Sequence, residues 1–330
     1  MNPPNAANYA PAATNTTTPA TAVAASAATY RFPASMAATA ATPLSMASDV
    51  MQRTPASAPL QVSTRFLATE GGRIAFDDSG GETARPLVIA LPGMGDLRGQ
   101  YRYLRAALIH AGFRVVTMDV RGQGESSVDW PDYSAHAAGR DILALITHLG
   151  CPSATVIGNS FAAGAALWAA RLAPQRIDRA VLIGPILRDL PVPPWVRLAL
   201  RIGFAGPWRN RFWLAYWDSL FTSRKPPDHA HYRAALSRNL REPGRFAALG
   251  TMVGLSKRDT ESIIDATGLP CLVVMGTSDP DFPDAAAEAR LLGERLGAEV
   301  LLVDRAGHYP HVEMPEVTAS GILDFLGEHQ

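Results

Sequence analysis

From about Gln61 onward, apolar positions follow two patterns. The stretches "VSTRFLAT" and "RIAFDDSG", split by "EGG", carry apolar residues at roughly every second position, which predicts an antiparallel hairpin. "PLVIALPG" is instead a short continuous apolar run, and "YRYLRAALIHAG" follows it at helical spacing and stops at Gly112. The succession repeats: "RVVTMDV" with "SAHAAGRDILALITHLG", "ATVIGNS" with "AAGAALWAARLA", then "DRAVLIGP". After a long insertion it resumes with "PCLVVMGTSDP" and "DAAAEARLLGERLG", then "AEVLLVDRAGH" and a terminal helix. Strand-length apolar runs alternating with helices predict an α/β layered fold, a mostly parallel central sheet flanked by helices and buried on both faces. Ligands of such sheets gather beyond the carboxyl ends of the strands, so the residue after each run is the one to read.

Those positions are Gly93-Met94-Gly95, Asp119-Val120-Arg121-Gly122, Ser160, Gly184-Pro185, Asp279 and His308. A serine, an acid and an imidazole all follow apolar runs, in the chain order Ser, Asp, His. The serine stands in "VIGNSFAAG", where a plain helix N-cap would also place one. The partners at other strand ends favour a nucleophile elbow, a sharp turn that lifts the hydroxyl clear of the sheet. On the elbow, the residue order and the ending "GHYPHVEMPE" together, the chain from about residue 62 onward resembles the α/β-hydrolase superfamily. The resemblance implies an α/β-hydrolase fold with a helical cap insertion and a serine hydrolase mechanism.

A serine hydroxyl is a weak nucleophile at neutral pH and needs a base within reach. The resemblance makes Ser160 the nucleophile, His308 the base that takes and returns its proton, and Asp279 the carboxylate that fixes the imidazole tautomer. The backbone N–H groups of Met94 and Phe161 are the expected oxyanion hole. Asp281 in "SDPDF" and Asp189 after the preceding strand compete with Asp279, which stands nearest its strand end. His311 competes with His308, which the pattern "GHxPxxExP" selects. His110, His136 and His148 fall on helical stretches as surface residues, and Arg121 and Ser126 of "DVRGQGES" read as structural hydrogen-bonders. Two departures stand out: Ala162 occupies a place where the usual signature has glycine, tolerable only at negative φ, and Pro92 one where relatives often carry histidine.

Composition changes the picture in two places. Residues 1–60 are rich in Ala, Thr, Pro and Ser, with Arg31, Asp49 and Arg53 as their only charges; such a segment buries too little apolar area to offset its ordering and reads as a mobile tail. Residues 186–258 break the strand–helix alternation and read as a helical cap, leaving 61–185 and 259–330 as the core. Four of the six tryptophans fall there: Trp195, Trp208, Trp213 and Trp217. Aromatics at helical spacing pack by default; Trp195, Trp213 and Trp217 are the candidates for lining an apolar pocket. Residues 188–258 hold thirteen basic and four acidic residues in a chain of zero formal net charge. That excess is either a solvated face or an attraction for an acidic or acyl-carrier partner.

Overall neutrality leaves no nucleic-acid partner to expect, and no apolar run reaches the roughly 18 residues of a membrane span, so no stable membrane insertion is expected. The start "MNPPNAANYAPAATN" lacks the basic and apolar regions of a secretory signal. Cys151 and Cys271 lack metal-site spacing and read as small buried hydrophobes in a reducing compartment. With Lys225 and Lys257 as the only lysines, the arginine- and alanine-rich bias points to a GC-rich bacterial genome, and the expected location is the cytoplasm. No metal or cofactor is called for. The expected activity is cleavage of a small apolar carboxylic ester through an acyl-enzyme on Ser160. Carbon–carbon bond hydrolases, which share "GNS" before the elbow, and thioesterases are alternatives on the same fold; epoxide hydrolases and dehalogenases use aspartate where this chain has Ser160. A low-turnover ligand-sensing protein is the alternative of another class.

Overall fold

The computed structural model describes residues 63–81, 85–190 and 194–327; the tail read at 1–60 lies outside them. The predicted hairpin forms as β1 (Arg65–Thr69) and β2 (Gly72–Asp78), paired antiparallel from Arg65↔Phe76 to Thr69↔Gly72. β2 also pairs antiparallel with β4 (Arg114–Met118). The remaining neighbours run parallel: β3 (Leu87–Leu91), β4, β5 (Ala154–Asn159), β6 (Ile177–Ile183), β7 (Cys271–Gly276) and β8 (Glu299–Val303). The eight strands lie in the order β1-β2-β4-β3-β5-β6-β7-β8. The order reverses at β3: the next strand in the chain, β4, lies on one side of it and the one after, β5, on the other. The crevice beyond the ends of β3 and β5 is therefore the switch point where ligands collect in open α/β sheets.

Alternation within the continuous apolar runs explains the layers. Val88 and Ala90 of β3 join one core with Leu104 and Leu108 of α1 (Arg102–His110) and Ile322 and Phe325 of α11 (Pro315–Gly327), which follows the short α10 (Pro310–Glu313). Ile89 and Leu91 join the opposite core with Ile142 and Leu145 of α2 (Ala135–His148), α3 (Phe161–Leu172) and α9 (Ala285–Leu296). Nine of the twelve α3 residues are buried, six of them alanines at positions 162, 163, 165, 166, 169 and 170. Small side chains there let α3 lie against both β5 and α2. The edge strand β8 departs from the expected two-sided burial: Val300 and Leu302 are exposed on a strand that pairs, among the described residues, with β7 alone.

Between β6 and β7 the chain forms α4 (Pro194–Ala205), α5 (Arg209–Ser219), α6 (His229–Leu240), α7 (Arg245–Val253) and the short α8 (Arg258–Glu261). The first four of these helices share a third core that includes Trp213, Trp217, Tyr232, Leu236 and Phe246, and it reaches Tyr309 and Val312 beside the last strand-end loop. The aromatic spacing thus serves packing. The backbone of Trp195 lies in α4, and its side chain is outside the described residues.

Candidate active site

Ser160 is the single residue between β5 and α3, held at φ 56° and ψ −118°. Among the described residues only it and Arg305 combine a side chain with positive φ. Such a conformation costs on the order of 1–3 kcal/mol and persists only where the surroundings enforce it. Here Ser160 N–H donates to Ile183 O at 2.8 Å, and Ser160 O accepts from Ala163 N–H at 3.2 Å. A Cβ on Gly158 would sit 2.3 Å from Ala162 O, so the chain can double back only with glycine there. Ala162 lies inside α3 at negative φ, which removes the objection to alanine at that place. Gly158→Ala is expected to cost about 3 kcal/mol, the top of the overpacking range, read as a lowered thermal midpoint.

Asp279 follows β7 and is fully buried. Its Oδ1 accepts from Asp281 N–H at 3.0 Å, and its Oδ2 lies 2.7 Å from His308 Nδ1. In the neutral ring that pairing puts the proton on Nδ1 and leaves Nε2 as the acceptor. His308 N–H donates to Leu220 O at 3.0 Å, and the neighbouring Gly307 N–H donates to Glu313 Oε1 at 2.8 Å. Glu313 Oε2 in turn accepts from Thr222 N, Ser223 N and Ser223 Oγ, so the segment after α5 and the histidine loop form one unit. Asn159, just before the serine, donates to Ile183 O at 3.0 Å and His308 O at 3.4 Å and accepts from Gln100 Nε2 at 3.0 Å. Serine turn and histidine loop are thereby tied through one buried amide. No hydrogen bond joins Ser160 Oγ to the His308 ring among the described residues; in unliganded sites that contact is commonly long and closes with substrate.

Burial alone would push the His308 pKa down, but Asp279, then Asp281 at 3.6 Å, outweigh it and hold it at about 9. Asp281 is itself raised by burial, opposed by His308, and accepts a hydrogen bond from Tyr216 Oη at 2.8 Å. Three residues on, His311 is buried, stacks on Tyr101 at 5.1 Å and has no hydrogen-bond partner on either ring nitrogen. Burial, then Arg102 and His308, push its pKa down to about 3. The two rings act oppositely on stability. The His308 contribution is complete below the unfolded value of 6.5 and is lost as pH rises through about 9; that of neutral His311 is present above 6.5 and lost as pH falls toward about 3. Thermal midpoints measured across pH should peak near 6.5, and His311→Phe should flatten the acid side alone.

The loop between β3 and α1 carries Met94, Gly95 and Asp96. The N–H groups of Met94 and Phe161 are bonded to nothing among the described residues. Trp213 and Trp217, one turn apart on α5, reach this loop: Trp213 Nε1 donates to Gly95 O and Trp217 Nε1 to Asp96 Oδ2, both at 3.1 Å. Gly95 has φ +71°, and a Cβ there would meet the Trp213 ring at 2.3 Å. Asp96 is buried, which raises its pKa, against hydrogen bonds from Tyr232 Oη at 2.7 Å and its own loop. Beside it is a cavity of about 10 Å³, lined in part by Gln100, Trp217 and Tyr309. Asp96 and Tyr232 escape a reading by strand ends; the sequence signals were an acid two residues after Met94 and tryptophans at i and i+4.

A family model described as alpha/beta hydrolase fold matches residues 86–315. The chain belongs to the alpha/beta hydrolase fold family. This family member is 25% identical over 247 residues to 3-oxoadipate enol-lactonase 2 of Acinetobacter baylyi, across 72% of this chain and 86% of that one. It is 27% identical over 322 residues to epoxide hydrolase A of Mycobacterium tuberculosis, across 79% and 96%. Among solved structures, a hydrolase from Pseudomonas aeruginosa PA01 superposes with a TM-score of 0.67 at 26% identity, covering 80% of this chain and 98% of that one. Family and relatives together support a hydrolase.

The competing residues fall elsewhere. Asp189 is exposed and bonds Ser256 Oγ and Lys257 N–H. Arg121 pairs with Asp141 through two hydrogen bonds of 2.6 and 2.8 Å, and Ser126 Oγ donates to Asp119 O at 3.0 Å. His110 and His148 are exposed, and His136 packs edge-on against Trp168. Asp279, Asp281 and His308 are the one group among the described residues whose ligand atoms lie close enough for a cation, within 4.8 Å, and the His308–Asp279 hydrogen bond already joins two of them. Both cysteines are free and buried, and burial pushes the Cys271 thiol up to about 12. Among the described residues no helix is long and apolar enough to cross a membrane.

Proposed function

We propose that the chain is a serine hydrolase that cleaves a carboxylic ester through an acyl-enzyme on Ser160. The observation that carries the reading is the backbone of Ser160, forced to φ 56° at the sheet's switch point with the unbonded Phe161 N–H next to it. His308 takes the Ser160 proton on Nε2 as the hydroxyl attacks the ester carbonyl, and Asp279 offsets the imidazolium charge. The developing oxyanion lies toward Phe161 and Met94 N–H, with the positive end of α3 behind it. His308 then protonates the leaving alcohol, and water repeats the sequence to release the acid. The helices α4–α8 act as a cap, and through Trp213 and Trp217 they hold the Met94 loop in place. The enol-lactonase named above fits this reading, since a lactone is an ester.

p-Nitrophenyl esters of graded acyl length test it. The proposal expects a burst of nitrophenol equal to the enzyme concentration, then steady turnover; phosphonate labelling without turnover on any ester would instead favour a ligand-sensing protein. Because the base works only when neutral, kcat/KM for these uncharged esters should rise with pH to a plateau above about 9. Asp281→Asn removes one of the charges that hold the proton on and should move that midpoint to lower pH, with little change on the plateau.

A further inference from the structure

Five of the thirteen basic residues in 188–258 stand in ion pairs among the described residues, and four of the other eight lie together in and just after α4. Arg188, Arg224, Lys225, Arg233 and Arg245 are paired with Glu288, Glu316, Asp218 and Glu242. Arg197, Arg201, Arg209 and Arg211 are exposed and form no ion pair among the described residues. From Leu190 to Trp217 these four arginines are the only charged residues.

The unpaired arginines stand beside uncovered apolar side chains. Helix α4 packs inward through Gly203 and Phe204, whose ring lies 6.0 Å from Phe212, 6.0 Å from Trp213 and 5.2 Å from Phe246. On its outward side Leu198 and Ile202, one turn apart, are 58% and 53% exposed, and Trp208 just beyond is 50% exposed. Trp208 Nε1 donates to Ile202 O at 3.0 Å, so the indole lies along the same face. Arg197 and Arg201, also one turn apart, flank that stripe. Single exposed apolar residues need no explanation, but a stripe of three large ones rimmed by cations marks a contact surface.

We propose that this face docks on an anionic phospholipid surface. An apolar stripe with an aromatic at its end and arginines alongside is the arrangement that lies in a lipid headgroup region. The arginines without acidic partners supply the charge complementarity. An acidic protein would satisfy the arginines but would also need a groove matched to Leu198 and Ile202, whereas acyl chains accept any shape. Docking would press α4 onto α5, the helix that reaches the Met94 loop. The inference does not depend on the chemistry at Ser160.

The test is co-sedimentation of the full chain with vesicles of equal parts phosphatidylglycerol and phosphatidylcholine, against phosphatidylcholine alone. The chain is expected to sediment with the anionic vesicles, less so as salt rises. Arg197→Gln with Arg201→Gln should lower the partition coefficient about fivefold per arginine. Leu198→Glu with Ile202→Glu should abolish sedimentation while leaving circular dichroism and hydrolysis of a short soluble ester unchanged. The proposal is overturned by wild-type chain that ignores both vesicles, by a Leu198/Ile202 double variant that sediments as well as wild type, or by a dimer seen by light scattering that this variant dissolves while vesicles go unbound. The last would assign the face to a second copy of the chain, and binding to an acidic carrier protein in place of vesicles would likewise overturn it.

Discussion

Ser160→Ala is expected to leave a folded protein with ester turnover lowered by a factor on the order of 10⁴–10⁶, the loss typical when a triad nucleophile is removed. The change deletes one oxygen at a site where the backbone is already fixed by Ile183 O and Ala163 N–H, so the elbow has no reason to collapse. Positive φ penalises alanine as it does serine, so the thermal midpoint should stay within a few degrees of wild type. The steady-state rate and the nitrophenol burst should vanish together. A variant that retains its burst would move the nucleophile elsewhere.

Asp279→Asn is expected to lower kcat by about 10⁴, because an amide at that place can donate to Nδ1 and turn the imidazole to the wrong tautomer. The neighbouring Asp281 sharpens the test. It lies 3.6 Å from Nδ1 against 2.7 Å for Asp279, and its carboxylate is occupied by Tyr216. If position were decided by charge alone, the two asparagine variants would lose similar activity. If the hydrogen bond decides, only Asp279→Asn should collapse the rate, while Asp281→Asn shifts the pH profile.

Much of this arrangement was legible in the sequence because burial on both faces writes strands as unbroken apolar runs. "VIALP", "ATVIGN" and "CLVVMG" announce β3, β5 and β7, and the residues after them, with His308 after β8, make up the candidate site. What could not be read is what depends on pairing between distant segments. The reversal at β3 is invisible in a linear pattern, and so is the edge position that leaves Val300 and Leu302 exposed. Asp279 and Asp281 differ by two positions; it is the turn geometry, with Asp281 N–H on Asp279 Oδ1, that aims one carboxylate at the imidazole. Trp213 and Trp217 were read as packing residues with a pocket-lining alternative. Both do pack in the third core, and Trp217 lines the cavity beside Asp96; their indole N–H groups also hold a loop more than a hundred residues earlier, which a hydrophobic pattern cannot encode. Asp119, at a strand end like the others, is held by Arg98 and by Arg98 and Glu125 N–H, a structural acid that spacing alone does not separate from a reacting one.

The account rests on the Ser160 hydroxyl being a nucleophile, and peptide mapping by mass spectrometry after reaction with a fluorophosphonate measures that directly. One phosphonate per chain, carried by Ser160 and lost in His308→Ala, is the predicted result. An adduct on any other residue, or an unmodified Ser160 in enzyme that hydrolyses esters, would contradict it.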